Sequence, residues 1–215
     1  SCEILGSGSF GGCSQLENVV LKSCKRIESG AFYNYGGLNY CSKLKSVGDI
    51  SHCESIGDNA FSYCRSLTSV DLSSCKTIGN CSFSDCSALE SVGSTTLLTN
   101  IPASAFTGCS NLQNIDLSNC TSVGGSAFQG CRKIKHLYLN KCTYISRYAF
   151  GYCGLEEIDL SAVKVIEAIA FTNCKNLTKV TGLKQIKSLP VGTFDRCCNL
   201  STIDLSGIES LGEYC

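Results

Sequence analysis

The apolar positions of this chain recur about every 22 residues, and each phenylalanine marks the same point in that period. Successive phenylalanines are 21 to 29 residues apart. The nine are Phe10, Phe32, Phe61, Phe83, Phe106, Phe128, Phe150, Phe171 and Phe194. A repeat of about 20–29 residues that continues along a whole chain is typical of a solenoid, in which each unit packs on the next.

Other apolar residues keep a constant distance from each phenylalanine. An aliphatic residue stands five positions before it, a small residue directly before it, and in eight of nine units a cysteine three positions after it. A run such as Leu67-x-x-Val70-x-Leu72 follows, and its alternation predicts a short strand with one buried face. The polar residue before the Ala-Phe pair predicts one helical or 3-10 turn around the phenylalanine.

These positions predict an α/β solenoid of about nine units, each of 22–23 residues. We expect a parallel sheet on one face, with short helical or 3-10 turns and irregular segments on the other. Residues 1–215 should form one solenoid domain, since no linker separates the repeats. Neither end resembles the polar cap that solenoids normally need, so we expect a fragment of a longer array.

The segment from Ile56 to Leu72, IGDNAFSYCRSLTSVDL, resembles the BspA-like leucine-rich repeats, also called the Treponema pallidum subfamily. The resemblance covers essentially the whole chain. It implies a leucine-rich repeat fold and, because the family occurs on surfaces of bacteria and parasitic protists and often acts in adhesion, an extracellular or cell-surface location. The ligand it implies is a protein, or another cell-surface or extracellular-matrix component. The chain departs from the family after the strand, where Ser-x-Cys often replaces Pro and Leu.

Fifteen of the eighteen cysteines fall in two columns of the repeat. In the column three positions before the aliphatic residue, Cys alternates with Leu98, Val163, Ile186 and Ile208, which indicates a small buried apolar site filled by a reduced thiol. Disulfides between adjacent units are an alternative, because stacked cysteines would lie at disulfide distance. No cysteine or histidine spacing indicates a metal site. Reduced thiols would favour the cytoplasm, whereas four Asn-x-Ser/Thr sequons favour secretion.

Charge and motifs argue against several function classes. Eighteen basic and eighteen acidic residues give no net charge and no basic stripe, so nucleic acid is not expected as a partner. No basic amphipathic helix or apolar span predicts membrane insertion. The segment from Gly6 to Gly11 matches G-x-G-x-x-G but contains a core phenylalanine. His52 and His136 occupy different unit positions, so no Ser-His-acid arrangement is indicated, and we expect neither an enzyme nor a cofactor.

The exposed side of the predicted strand is the first candidate ligand surface. One outward column carries four aspartates, each in an Asp-Leu-Ser run: Asp71, Asp116, Asp159 and Asp204. His136 and Tyr138 interrupt the acidic residues and are the candidate contact anchors. In one interpretation the aspartates only keep the sheet soluble and prevent sheet association. In the other, carboxylates and hydroxyls at fixed spacing bind a polar or cationic partner.

An insertion in the second unit is the other candidate surface. The segment YNYGGLNYC, from Tyr33 to Cys41, makes the Phe-to-Cys connection six residues longer than usual and carries the candidate contact residues Tyr33, Tyr35 and Tyr40. Insertions in repeats often form binding loops, and tyrosine is a favoured contact residue; a tolerated surface bulge is the alternative. The chain is therefore predicted to be a non-catalytic interaction or adhesion module. The alternative is a scaffold that stacks or self-associates end to end.

Overall fold

The protein forms a solenoid in which a succession of short strands and tight turns repeats about nine times. A computed structural model describes residues 2–37 and 39–215. The described strands are β1 (Ile4–Leu5), β2 (Arg26–Ile27), β3 (Ser55–Ile56), β4 (Thr77–Ile78), β5 (Asn100–Ile101), β6 (Ser122–Val123), β7 (Tyr144–Ile145), β8 (Glu157–Asp159), β9 (Val165–Ile166), β10 (Lys179–Thr181), β11 (Ser188–Leu189), β12 (Thr202–Ile203) and β13 (Ser210–Leu211). The described residues contain one helix, a 3-10 turn at Leu183–Gln185.

Two ladders of parallel strands run along the solenoid. The longer ladder holds the aliphatic column, in the orders β1-β2-β3-β4, β5-β6-β7-β9 and β11-β13. Its register places equivalent residues side by side, for example Ile27 opposite Ile56. The other ladder follows the Leu-x-x-Val-x-Leu runs. It consists of the three-stranded sheet β8-β10-β12 and two isolated bridges. The predicted parallel stacking is confirmed.

Most pairing between strands lies in a different part of the unit from the part predicted. The Leu-x-x-Val-x-Leu run, which the sequence predicts to be the strand, forms a regular sheet in only a few units. The segment that ends at the aliphatic residue, five positions before the phenylalanine, forms strands in most units. Glycine explains part of the difference, because Gly48 and Gly93 occupy the outward column with φ of 70° and 66°. A positive φ takes the backbone out of the extended region and interrupts the ladder.

The phenylalanines form one continuous stack inside the solenoid, as predicted. The seven from Phe32 to Phe171 are fully buried, Phe194 is 6% exposed, and Phe10 is partly buried. Neighbouring rings lie 5.1 to 5.6 Å apart between centroids and within 18° of parallel. Each ring therefore fills the space between two units, so no unit can complete its core alone.

The segment around each phenylalanine is not helical, which corrects the predicted α/β class. The Phe61 N–H donates to the Ser82 carbonyl of the next unit at 2.8 Å, whereas the Cys64 N–H turns back to the Phe61 carbonyl at 3.0 Å. Asn59 and Tyr63, on either side, have φ of 54° and 62°. A helix needs consecutive right-handed residues and internal bonds, and this segment instead directs alternate N–H groups to the neighbouring unit.

All eighteen cysteines are free thiols in this structure, and thirteen are buried. In the column after the phenylalanine, most thiols donate to the phenylalanine carbonyl of the preceding unit, as Cys86 does to Phe61 at 3.1 Å. Cys41, Cys109, Cys131, Cys153, Cys174 and Cys197 make the same bond at 3.0 to 3.2 Å. In the other column the thiol donates to a carbonyl two residues ahead, as from Cys75 to Thr77 at 3.1 Å. The thiols thus combine apolar packing with a weak donor.

Candidate functional site

Tyr138 projects from the outward column and separates two shallow depressions. Its side chain is 69% exposed, while Leu137 and Leu139 on either side are buried in the core. This follows from strand alternation, because neighbouring residues face opposite sides of the chain. The depressions, of about 630 and 220 Å³, lie between Tyr138 and the preceding and following units. Asp116 lines the larger one and Asp159 the smaller.

His136 lies beside Tyr138 and faces two carboxylates of the next unit. Its Nε2 atom is 3.9 Å from Glu156 Oε2, and its Nδ1 atom is 3.9 Å from Glu157 Oε1. The ammonium group of Lys135 is 2.8 Å from Glu156 and lowers the pKa of that carboxyl group. We call the surface formed by Asp116, His136, Tyr138, Glu157 and Asp159 the Tyr138 site. Its carboxylates suit a partner that presents a cation.

The recurring aspartates also shape the backbone. In each Asp-Leu-Ser run the Asp Oδ1 atom accepts the N–H of the serine two residues later, at 2.9 to 3.1 Å. This Asx turn forms the corner after the strand. Hydrogen bonds from Ser118 lower the pKa of Asp116, and those from Ser206 lower the pKa of Asp204, so both carboxyl groups are charged at neutral pH. The Asp-Leu-Ser pattern therefore has a structural cause beyond solubility.

The predicted site residues do not all come together. Asp159 Oδ1 also accepts bonds from the hydroxyls of Ser161, at 2.6 Å, and Thr181, at 3.2 Å, so it is more heavily engaged than Asp116. Asp71 lies two units before Asp116 in the same column, and Asp204 two units after Asp159. Each is therefore one unit, or about 4.8 Å, beyond the nearest lining residue of its depression, Gly93 for Asp71 and Thr181 for Asp204.

The tyrosines of the insertion pack mainly against one another. Tyr33 and Tyr40 are half-buried with ring centroids 5.5 Å apart, and Tyr40 stacks on Tyr63 of the next unit at 4.4 Å. Burial raises the pKa of the Tyr33 hydroxyl. Only Tyr35 of the three predicted contact residues is mostly exposed, at 62%. Leu38 of this insertion lies outside the described residues.

Sequence reasoning missed the partners that the neighbouring units supply. Glu156 and Tyr63 belong to no candidate set, yet Glu156 faces His136 and Tyr63 closes the tyrosine cluster. The sequence could have identified these partners from their positions in the repeat, because residues at similar positions in adjacent units lie side by side. Tyr63 stands two positions after its phenylalanine, next to the insertion in the stack.

The described residues offer neither a metal site nor a membrane-spanning helix. Residues 2–37 and 39–215 contain no group of three or more His, Cys, Asp or Glu side chains placed to hold a metal ion. The same residues form no helix with the length and apolar character needed to cross a bilayer.

Comparison with protein families gives one match that spans the chain. The family model for BspA type leucine rich repeat regions matches in six copies, over residues 1–71, 36–156 and 143–215. No curated protein matches the chain significantly.

Solved structures of leucine-rich repeat proteins are similar to this chain. A leucine-rich repeat protein from Bacteroides ovatus aligns with 97% of this chain and 78% of its own, at 18% identity and a TM-score of 0.59. A leucine rich cell surface protein from Faecalibacterium prausnitzii aligns with 97% of this chain and 69% of its own, at 20% identity and a TM-score of 0.54. The leucine rich repeat protein of T. pallidum aligns with 74% of this chain and 67% of its own, at 26% identity and a TM-score of 0.51.

Proposed function

Because this chain belongs to the BspA-type leucine-rich repeat family, we propose that it is a non-catalytic binding module whose protein ligand docks on the Tyr138 site. Repeats of this kind are generally non-enzymatic and mediate protein interaction or serve as scaffolds. Members are typically surface-associated bacterial proteins. We further propose that the ligand is a cell-surface or extracellular-matrix protein and that the interaction is adhesive.

The observation that carries this proposal is the exposed aromatic ring of Tyr138 between two depressions. Aromatic residues dominate the energetics of protein interfaces when a partner covers them, because they bury a large area at a small entropic cost. Leu137 and Leu139, on either side of the ring, are buried in the core and fix its position, so little ordering is required on binding.

The charges around Tyr138 indicate that the partner presents a cationic side chain. Asp116, Glu156 and Glu157 place carboxylates on both sides of the ring, with Lys179 at the far edge of the smaller depression. A lysine or arginine on the partner would lie against these carboxylates and the face of Tyr138. We therefore expect binding to weaken as ionic strength rises.

Replacement of Tyr138 tests the location. Tyr138→Ala should weaken binding of the labelled protein to an immobilised extracellular-matrix extract by about 1–2 kcal/mol, because the central aromatic contact is lost. Thermal stability should not change, since the side chain contributes little to the core. Binding isotherms and thermal melts measure the two quantities.

Tyr35→Ala is the matched control, because Tyr35 is similarly exposed on a different surface. Wild-type affinity in the Tyr138 variant together with loss in the Tyr35 variant would move the site to the insertion. If neither substitution changes binding, the proposal is wrong, and a scaffold that associates end to end is the function to test by sedimentation.

A further inference from the structure

One corner of the solenoid is a residue shorter than all the others. In eight units the cysteine after the phenylalanine is followed three positions later by an aliphatic residue, but only Gly154 stands between Cys153 and Leu155. The deletion accounts for the 21-residue spacing between Phe150 and Phe171.

The shortened corner draws the backbone inward. Gly154 is buried, and a Cβ atom there would lie 2.0 Å from the carbonyl oxygen of Arg132, so only glycine fits. The full-length corners of the neighbouring units, at Arg132 and Lys175, lie on either side of it. Those two corners are two units apart, or about 10 Å at the usual strand spacing.

The result is a cleft of about 460 Å³ across three units. Cys153 and Gly154 line it together with Arg132, Tyr152 and Lys175, and two further residues, Asn173 and Asn176, contribute side-chain amides. It shares no lining residue with the Tyr138 site. A cleft of this size accepts a small ligand of one or two rings.

The chemistry of the cleft is cationic and aromatic. No carboxylate is among its lining residues, and within the described part of the chain neither Arg132 nor Lys175 forms an ion pair. Tyr152 is 44% exposed and offers its ring to the cleft. This is opposite in charge to the Tyr138 site, where carboxylates surround the aromatic ring.

We propose that this cleft binds an acidic glycan through a uronic acid unit. The sugar carboxylate would pair with Arg132 or Lys175, since arginine in particular recognises carboxylates through two parallel hydrogen bonds. The apolar face of the pyranose ring would pack on Tyr152. Its hydroxyl groups would meet the amides of Asn173 and Asn176, which can both donate and accept.

A hyaluronan tetrasaccharide is a suitable probe, because glucuronate carboxylates carry all of its charge. Isothermal titration calorimetry should detect binding to the wild-type protein and none to the same tetrasaccharide with its carboxyl groups reduced. Arg132→Gln and Lys175→Gln should each weaken affinity about 5-fold or more, which corresponds to about 1 kcal/mol.

Two further variants separate the cleft from general surface attraction. Tyr152→Asn removes the ring but keeps a residue that tolerates the left-handed φ of 59° at this position, as Asn173 does in the next unit; affinity should again fall about 5-fold. Lys133→Gln removes an exposed cation beside Arg132 that does not line the cleft, and affinity should change less than about 2-fold.

Three results would overturn the proposal. They are no binding by the wild type at millimolar tetrasaccharide, an equal loss in the Lys133 and Arg132 variants, and competition by inorganic phosphate at the same concentration as the tetrasaccharide. The last would show that the cleft holds a small anion and does not recognise the sugar. Circular dichroism melts of all variants confirm that each one is folded.

Discussion

At the scale of single residues, the carbonyl of the phenylalanine explains why cysteine occupies the next column in most units. Phe61 accepts the N–H of Cys64 in its own unit and the S–H of Cys86 in the next, which uses both lone pairs of the oxygen. Valine or alanine would also be apolar at this position but could not donate. In the other column the thiol donates within its own unit, and aliphatic residues replace it in four units: Leu98, Val163, Ile186 and Ile208.

The two cysteine columns should therefore respond differently to valine. Cys75→Val should change the free energy of unfolding by less than about 1.5 kcal/mol, since Val163 already fills the equivalent site. Cys109→Val should cost about 1–3 kcal/mol, because it removes the donor to Phe83 and overfills a fully buried site. Urea unfolding under reducing conditions measures both. Equal costs would show that the thiol bond contributes nothing.

The phenylalanine stack should account for a large part of the stability at each unit. Phe106→Ala should lower the free energy of unfolding by about 3–5 kcal/mol, because it leaves a cavity between two rings at 5.4 and 5.5 Å. Phe106→Leu, which keeps most of the volume, should cost clearly less. A loss below about 1 kcal/mol in the alanine variant would exclude a core role.

At the scale of elements, hydrogen bonds between units determine the backbone more than local propensity does. The Ala-Phe segments could be recognised as tight turns from their composition, but their alternating bonds depend on carbonyls of the next unit, as Phe106 shows with Ala127 at 2.8 Å. Ser104, Ser126 and Tyr148 likewise have a left-handed φ. Packing between units imposes this conformation, because neither serine nor tyrosine strongly favours it by itself.

The short corner offers a direct test of backbone constraint. Gly154→Ala should destabilise the protein by about 3 kcal/mol or more, because its Cβ would meet backbone atoms of the preceding unit that cannot move independently. Gly125→Ala is the control: its Cβ would have its nearest neighbour at 3.5 Å, an ordinary contact, and the expected change is within about 1 kcal/mol. Similar melting temperatures for the two variants would contradict the geometry.

The features that the sequence predicts are those that recur with the repeat. The columns of Phe, Cys and aliphatic residues locate the core, and the exposed positions of His136 and Tyr138 follow from alternation. The cleft beside Gly154 cannot be recognised from the sequence. The 21-residue spacing is visible there, but a one-residue deletion does not reveal which side chains line the resulting gap. The packing of Tyr40 on Tyr63 depends on how the insertion folds over the next unit.

At the scale of the whole molecule, the buried thiols link stability to alkaline pH. Burial raises the pKa of Cys53 to about 11 and that of Cys75 and Cys142 to about 12, whereas a thiol in an unfolded chain titrates near about 8.5. The folded state therefore keeps protons that the unfolded state releases. Stability from this source is fully present below about pH 8.5 and declines as pH rises toward the folded-state values.

The free energy of unfolding should accordingly be nearly constant from about pH 7 to 8 and fall steeply by about pH 10. Each buried thiol contributes up to about 1.4 kcal/mol per pH unit once the unfolded thiol is ionised. Urea titrations with reductant at several pH values give the slope. A Cys75→Val, Cys142→Val double variant should show a shallower decline, and a flat profile to pH 10 would contradict the burial of neutral thiols.

Contact only between adjacent units also has a genetic consequence. Each turn bonds to the turn before it and the turn after it, so DNA encoding a whole repeat can be duplicated or lost in frame by unequal recombination while distant turns keep their contacts. The cleft is an exception, because it needs three consecutive and non-identical units. Only crossovers outside residues 132–176 leave the cleft intact, so its coding segment is inherited as a block within an otherwise interchangeable array.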